Sequence, residues 1–159
     1  MKRILKNFDV LLKYALIAIL LLSFLTYIFV FIINWEAYYF GVKLNGTPAG
    51  LYLFLKAIGA GSLAFLLIKY RRYTLAVAAL AVLYFGYTFV DSAVTIQTLT
   101  DNLYSPYLLK LFIISLVFLI IHTLVAILCK GDDNPTMIES TIDSIFAKIG
   151  TKKRMVTIY

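Results

Sequence analysis

Long apolar runs separated by short polar loops set the pattern of this chain. Four stretches, 10–34, 49–68, 74–97 and 106–129, are almost continuously apolar. A helix needs about 20 such residues to cross a hydrocarbon core of about 30 Å. Runs such as Leu16-Ile17-Ala18-Ile19-Leu20 lack the period-two alternation of a membrane barrel strand. The pattern therefore predicts an all-α integral membrane protein: a four-transmembrane-helix bundle over 1–130, followed by a tail over 131–159. Within the tail, Asn134 suits an N-cap and Pro135 the first helical position. Ile138, Ile142, Ile145 and Ile149 recur at helical spacing, and Gly150 suits the residue after the helix. An amphipathic helix over 135–149 is expected to lie on the membrane surface, with docking against a cytoplasmic partner as the second reading.

Composition strengthens the membrane reading. Apolar residues make up 62% of the 159 and charged residues 14%, against about 45–50% and about 25% in soluble domains. That excludes a disordered chain and leaves too few polar side chains to cover a water-soluble globule. Met1-Lys2-Arg3 before an apolar run imitates a secretory signal, but the run is long and ends in Asn34-Trp35-Glu36 without a small-residue cleavage site. An uncleaved first span is expected.

The charges set an orientation. Lys2, Arg3 and Lys6 precede the first span, Lys69, Arg71 and Arg72 separate the second and third, and Lys130, Lys148, Lys152, Lys153 and Arg154 follow the fourth. The opposite side carries only Lys43. The positive-inside rule thus predicts cytoplasmic termini, and the plasma (inner) membrane of a prokaryote is the expected compartment. Much of the +7 net charge is accounted for by orientation and attraction to anionic lipid. No basic groove with stacking aromatics points to nucleic acid. Trp35, Tyr38, Tyr39, Phe40, Tyr52, Tyr104 and Tyr107 suit the outer interface; Tyr14, Tyr70 and Tyr73 suit the inner one. The first outer loop carries turn chemistry at Asn45-Gly46 and a pre-helical Pro48.

Three intramembrane charges stand out. Lys56, Asp91 and Lys110 lie on three different spans, each roughly 6–11 Å below the outer interface at about 1.5 Å per residue. A lone charge in a membrane helix costs at least a few kcal/mol, so partners are expected. Asp91 is expected to pair with Lys56, with Lys110 as the alternative. Thr88, Asp91, Ser92 and Thr95 recur every three or four residues, so they share one helix face that should point into the bundle. Two readings follow: a polar pocket for an anion or a proton relay, or an ion pair with a snorkelling lysine.

His122 is the sole histidine. It suits a hydrogen bond between helices, or a proton or quinone contact, and it cannot by itself supply a zinc or bis-histidine haem set. Cys129 is the sole cysteine, so no internal disulfide can form. Asp91 has no carboxylate companion within a span, and no nucleophile triad, phosphate loop or CxxC is present. Catalytic residues, metal and cofactor are all expected to be none.

Small residues have a packing role. Ala57 and Gly61, like Ala60 and Ala64, are four apart, and Ala76, Ala78, Ala79 and Ala81 lie on the third span. Small residues let membrane helices approach closely. The short second loop joins spans two and three as an antiparallel hairpin, and close packing between those two is expected. Spans one and four are smoother, with Phe24, Tyr27, Phe29 and Phe31 giving span one a broad aromatic surface.

From Gly50 to Val90 a small-residue span, the basic turn Lys69-Tyr70-Arg71-Arg72 and an alanine-rich span follow one another. This layout resembles that of the DoxX-like family of small four-span membrane proteins. No site residue is carried over from it. The expected function is that of a non-catalytic small membrane subunit, or an assembly or stabilising factor, of a larger complex. Its partners would be the lipid bilayer and other membrane subunits, or copies of itself. The alternative is a small homo-oligomeric transporter or channel using the polar site around Asp91 and Lys56. A quinone-linked redox accessory protein and an immunity-type protein also fit the layout.

Overall fold

The computed structural model describes residues 2–33, 35–70, 73–100 and 105–128. The tail helix expected over 135–149, Cys129, and the loop residues Arg71, Arg72, Asp101 and Tyr104 lie outside the described residues. In chain order the elements are α1 (Lys2–Ile33), β1 (Glu36–Tyr39), β2 (Val42–Asn45), α2 (Thr47–Lys69), α3 (Thr74–Thr100) and α4 (Pro106–Leu128). All four helices are long and apolar enough to cross a membrane, as in a multi-pass membrane protein. α1 begins well before the apolar run, so Asp9 and Lys13 are carried on it.

Each helix packs on two neighbours, in the ring α1–α2–α3–α4. Fully buried Leu16, Leu20, Ala60, Ala64, Leu67, Ala78, Ala81 and Phe118 fill its centre. The most extensive interface is α1 with α2, and the smallest in the ring is α2 with α3. This corrects the packing expected from the small residues. A Cβ on Gly61 would stand 3.0 Å from Phe24 Cδ2 of α1. Gly61 therefore makes room for an α1 aromatic, and it is Gly59 that faces α3, with Tyr84 3.1 Å from its Cβ position. Ala57, Ala60 and Ala64 are fully buried along α2. A short connection dictates that α2 and α3 are adjacent; it does not dictate that they are the closest pair.

The connection from α1 to α2 is not an irregular loop. β1 and β2 pair antiparallel, with Glu36 opposite Asn45 and Tyr39 opposite Val42. Gly46 N–H donates to the Trp35 carbonyl at 2.9 Å and closes the base. The two-residue turn is Phe40-Gly41, with φ 46° and 82°. Positive φ at both positions is the type I′ pattern, whose twist matches the strands it joins. Asn45-Gly46, expected as the turn, instead sits where β2 gives way to α2. Pro48 lies in the first turn of α2, where a missing N–H costs nothing. The helix ends nearest this β-hairpin are called the hairpin end below, and the opposite ends the terminal end.

Candidate functional site

The hairpin folds back over the bundle and brings its turn to α3. Phe40 N–H donates to Asp91 Oδ1 at 2.8 Å, and Gly41 N–H donates to Thr95 Oγ1 at 3.1 Å. Two consecutive turn amides thus meet two side chains one helical turn apart on α3. Left-handed φ at a bulky residue such as Phe40 costs of order 1 kcal/mol or more, and the bond to Asp91 offsets it. At Gly41 a Cβ would come within 2.7 Å of Thr98 Oγ1. Glycine is required there for space as well as for backbone sign.

Asp91 is 3% exposed, so its charge must be answered inside the protein. Its second oxygen accepts from Lys56 Nζ at 2.7 Å and from the Tyr52 hydroxyl, both on α2. One carboxylate therefore takes donors from the hairpin backbone, a phenol and an ammonium, and joins the hairpin, α2 and α3. Lys56 is ringed by aromatic faces. Its Nζ lies 4.5 Å from the Tyr52 ring centroid, 5.7 Å from Tyr27 and 5.8 Å from Tyr87. These rings come from α2, α1 and α3, and cation–π attraction is strongest where water is excluded. Tyr84 O–H reaches from α3 to the Lys56 carbonyl at 3.0 Å.

The other residues singled out in the sequence divide. Thr88 is buried but turns its hydroxyl back to its own helix, donating to the Tyr84 and Phe85 carbonyls at 3.1 and 3.0 Å. Ser92 is half-buried on α3. Lys110 is exposed on α4 and is not among the partners of Asp91, so the three charges do not form one cluster. Equal depth on separate helices does not bring side chains together when their faces diverge.

At the terminal end, His122 Nδ1 lies 3.0 Å from both carboxylate oxygens of Asp9. This links α4 to α1. Asp9 is 7% exposed, and sequence reasoning passed over it because it stands just outside the apolar run. Its position one residue before a continuous span, within reach of the sole histidine once α1 is extended, was the available signal. Among the described residues no group of three or more metal-ligating side chains is gathered.

Chemically, the Asp91 cluster is a clamp. Every carboxylate oxygen is engaged by donors of this chain, and the ammonium is covered by rings. Comparison with known proteins finds no matching family model, no matching curated protein and no matching solved structure. The resemblance to the DoxX-like family therefore rests on layout alone.

Proposed function

We propose that this protein is a non-catalytic integral membrane subunit, or an assembly factor, that acts by holding a rigid apolar surface against other membrane proteins. The observation that carries the reading is the engagement of both Asp91 oxygens. This buried carboxylate takes its donors from the hairpin and α2 and so fastens the hairpin and two helices together. Outward faces are apolar over long stretches, as on α1, where Leu21, Leu22, Leu25, Phe29, Ile32 and Ile33 are exposed. The charge distribution supports an orientation with the hairpin outside and the termini in the cytoplasm.

The test is purification from native membranes in mild detergent, identification of stoichiometric companions, and a count of their complexes after deletion of this protein. The expected result is a defined companion whose assembly falls when this chain is removed. Recovery as a homo-oligomer alone, with all other membrane complexes intact on deletion, overturns the reading. In that case a solute flux abolished by Asp91→Asn in a folded protein would establish the transporter alternative.

A further inference from the structure

Between α1, α3 and α4, on the hairpin side of the bundle centre, lies a crevice of about 380 Å³. Its size is that of a small-molecule pocket, and its lining is unusual for a membrane bundle. Seven of its eleven lining residues carry hydroxyls, and none is charged. The hydroxyls come from all three helices: Ser23, Thr26 and Tyr27 on α1, Tyr84 and Thr88 on α3, and Tyr107 on α4. Buried Phe85, Thr88 and Leu111 make the floor, while exposed Leu22, Thr26 and Tyr107 make the rim. The rim lies on the flanks of α1 and α4, so the crevice opens sideways into the plane a bilayer would occupy. Thr26 and Tyr27 are seven and six residues from the end of α1, about 10 Å from the hairpin end. That is the depth at which head groups give way to acyl chains.

We infer that this crevice is a binding site for a membrane lipid with an uncharged, hydroxyl-bearing head, of the diacylglycerol type. Hydroxyls both donate and accept, so they match the hydroxyl and ester groups of such a head. Thr26 and Thr88 spend their protons on the Leu22, Tyr84 and Phe85 carbonyls, which leaves their oxygens as acceptors. Among the described residues, Ser23 and Tyr107 give no hydrogen bond to the protein, and their protons remain for a ligand. An anionic phosphate head would enter a site with no cation on its wall and lose hydration without compensation. Lys56 lies 5.7 Å from the Tyr27 ring centroid and is held by Asp91, and exposed Lys110 of α4 is not part of the lining. The acyl chains would leave past Leu22 into the bilayer.

The experiment uses the full-length protein in nanodiscs with a diacylglycerol carrying a photoactivatable diazirine near its head, followed by peptide mapping. Labelling should saturate and concentrate on 22–27 of α1 and on 105–111, Ser105 and the start of α4. Unlabelled dioleoylglycerol should compete, and dioleoylphosphatidylglycerol should not. Ser23→Ala removes one ligand hydrogen bond and no bond of the fold, and should weaken competition about three- to tenfold. Ser23→Phe fills the crevice and should abolish saturable labelling, with fold integrity followed through Trp35 emission. Non-saturable labelling along all lipid-facing helices, equal competition by the anionic lipid, or Ser23→Ala indistinguishable from wild type would each overturn the proposal.

Discussion

Asp91→Asn tests the clamp with little change in shape. The side chains of Lys56 and Asp91 are only 11% and 5% exposed, so solvent screens this pair weakly, unlike the exposed Lys43–Glu36 pair at 3.2 Å. Breaking a buried pair by removing one partner costs about 3–5 kcal/mol, because the other charge is left uncompensated. Asparagine adds a geometric fault. It offers one acceptor oxygen where the site presents donors to both positions, so its NH2 must face either Phe40 N–H or the Lys56–Tyr52 pair. At roughly 2–4 °C per kcal/mol for a chain of this size, the melting temperature in detergent should fall on the order of 6–20 °C. The companion variant Lys56→Met should also destabilise, and Lys56→Met with Asp91→Asn should be less damaging than the sum of the two. The assay is thermal unfolding followed by the single tryptophan, Trp35, which stacks on Phe31 at 5.9 Å at the foot of the hairpin. Hydrogen exchange at Phe40 and Gly41 adds a local readout. Additive single effects, or unchanged exchange at both amides in Asp91→Asn, would refute the clamp.

Three further outcomes follow from the packing. Gly41→Ala, with φ +82° and a Cβ 2.7 Å from Thr98 Oγ1, should cost more than Gly46→Ala, with φ +64° and nothing within 4 Å. The difference should be about 1–2 kcal/mol in a thermal or denaturant titration, and equal costs would mean that the hairpin does not press on α3. Gly61→Leu should force Phe24 aside and weaken α1–α2 packing by about 1–3 kcal/mol, with Phe24→Ala restoring part of the loss; a Gly61→Leu protein that melts like wild type would contradict that contact. His122→Phe leaves the buried Asp9 carboxylate without its ring partner and should lower stability by about 1–3 kcal/mol, whereas Asp9→Asn with His122→Phe should recover part of it. Equal melting of the single and double variants would show that the two residues are not coupled.

How far the sequence discloses this fold depends on what each residue must satisfy. Four apolar helices are legible because their length and composition leave no other use for the runs. The proximity of Lys56 and Asp91 is legible because each is intolerable alone in an apolar helix and both lie at one depth. Tyr52 as a donor is not, since a tyrosine near a helix end serves equally well as an interface anchor. Phe40 N–H is hidden for a deeper reason: a backbone amide belongs to every residue, so its use leaves no trace in residue type. The hairpin escapes because its strands are four residues long and its turn uses Phe40 where Asn-Gly is the usual signal. Gly61 shows the limit of small-residue reasoning. A missing side chain announces that something comes close, and the neighbour that does so, here Phe24 of α1, is set by the whole ring of helices.

The placement of the two polar links follows from how weakly apolar helices discriminate among one another. In lipid the tails are as apolar as leucine, so burial gives helices little preference for one neighbour or one rotation. Specific contacts must supply it. α2 and α3 share the smallest interface in the ring, and that is where Lys56, Tyr52 and Asp91 join them. α1 and α4 are far apart in sequence, and Asp9 and His122 join them at the opposite end. A rotation of α3 by one residue, about 100°, would carry Asp91 away from the ammonium, the phenol and the turn amide together. The hairpin adds a third constraint, because its base is held at the α1–α2 junction while its tip is held by α3. Each polar residue thus stands where apolar packing alone would leave a neighbour or a register undetermined. The same reasoning assigns a different role to the uncharged hydroxyls of the α1–α3–α4 crevice. Tyr84 is committed to the Lys56 carbonyl of α2, and Thr26 and Thr88 to carbonyls of their own helices. Among the described residues Ser23 and Tyr107 link no helix to the next, so their hydroxyls stay available to a molecule that arrives from the bilayer.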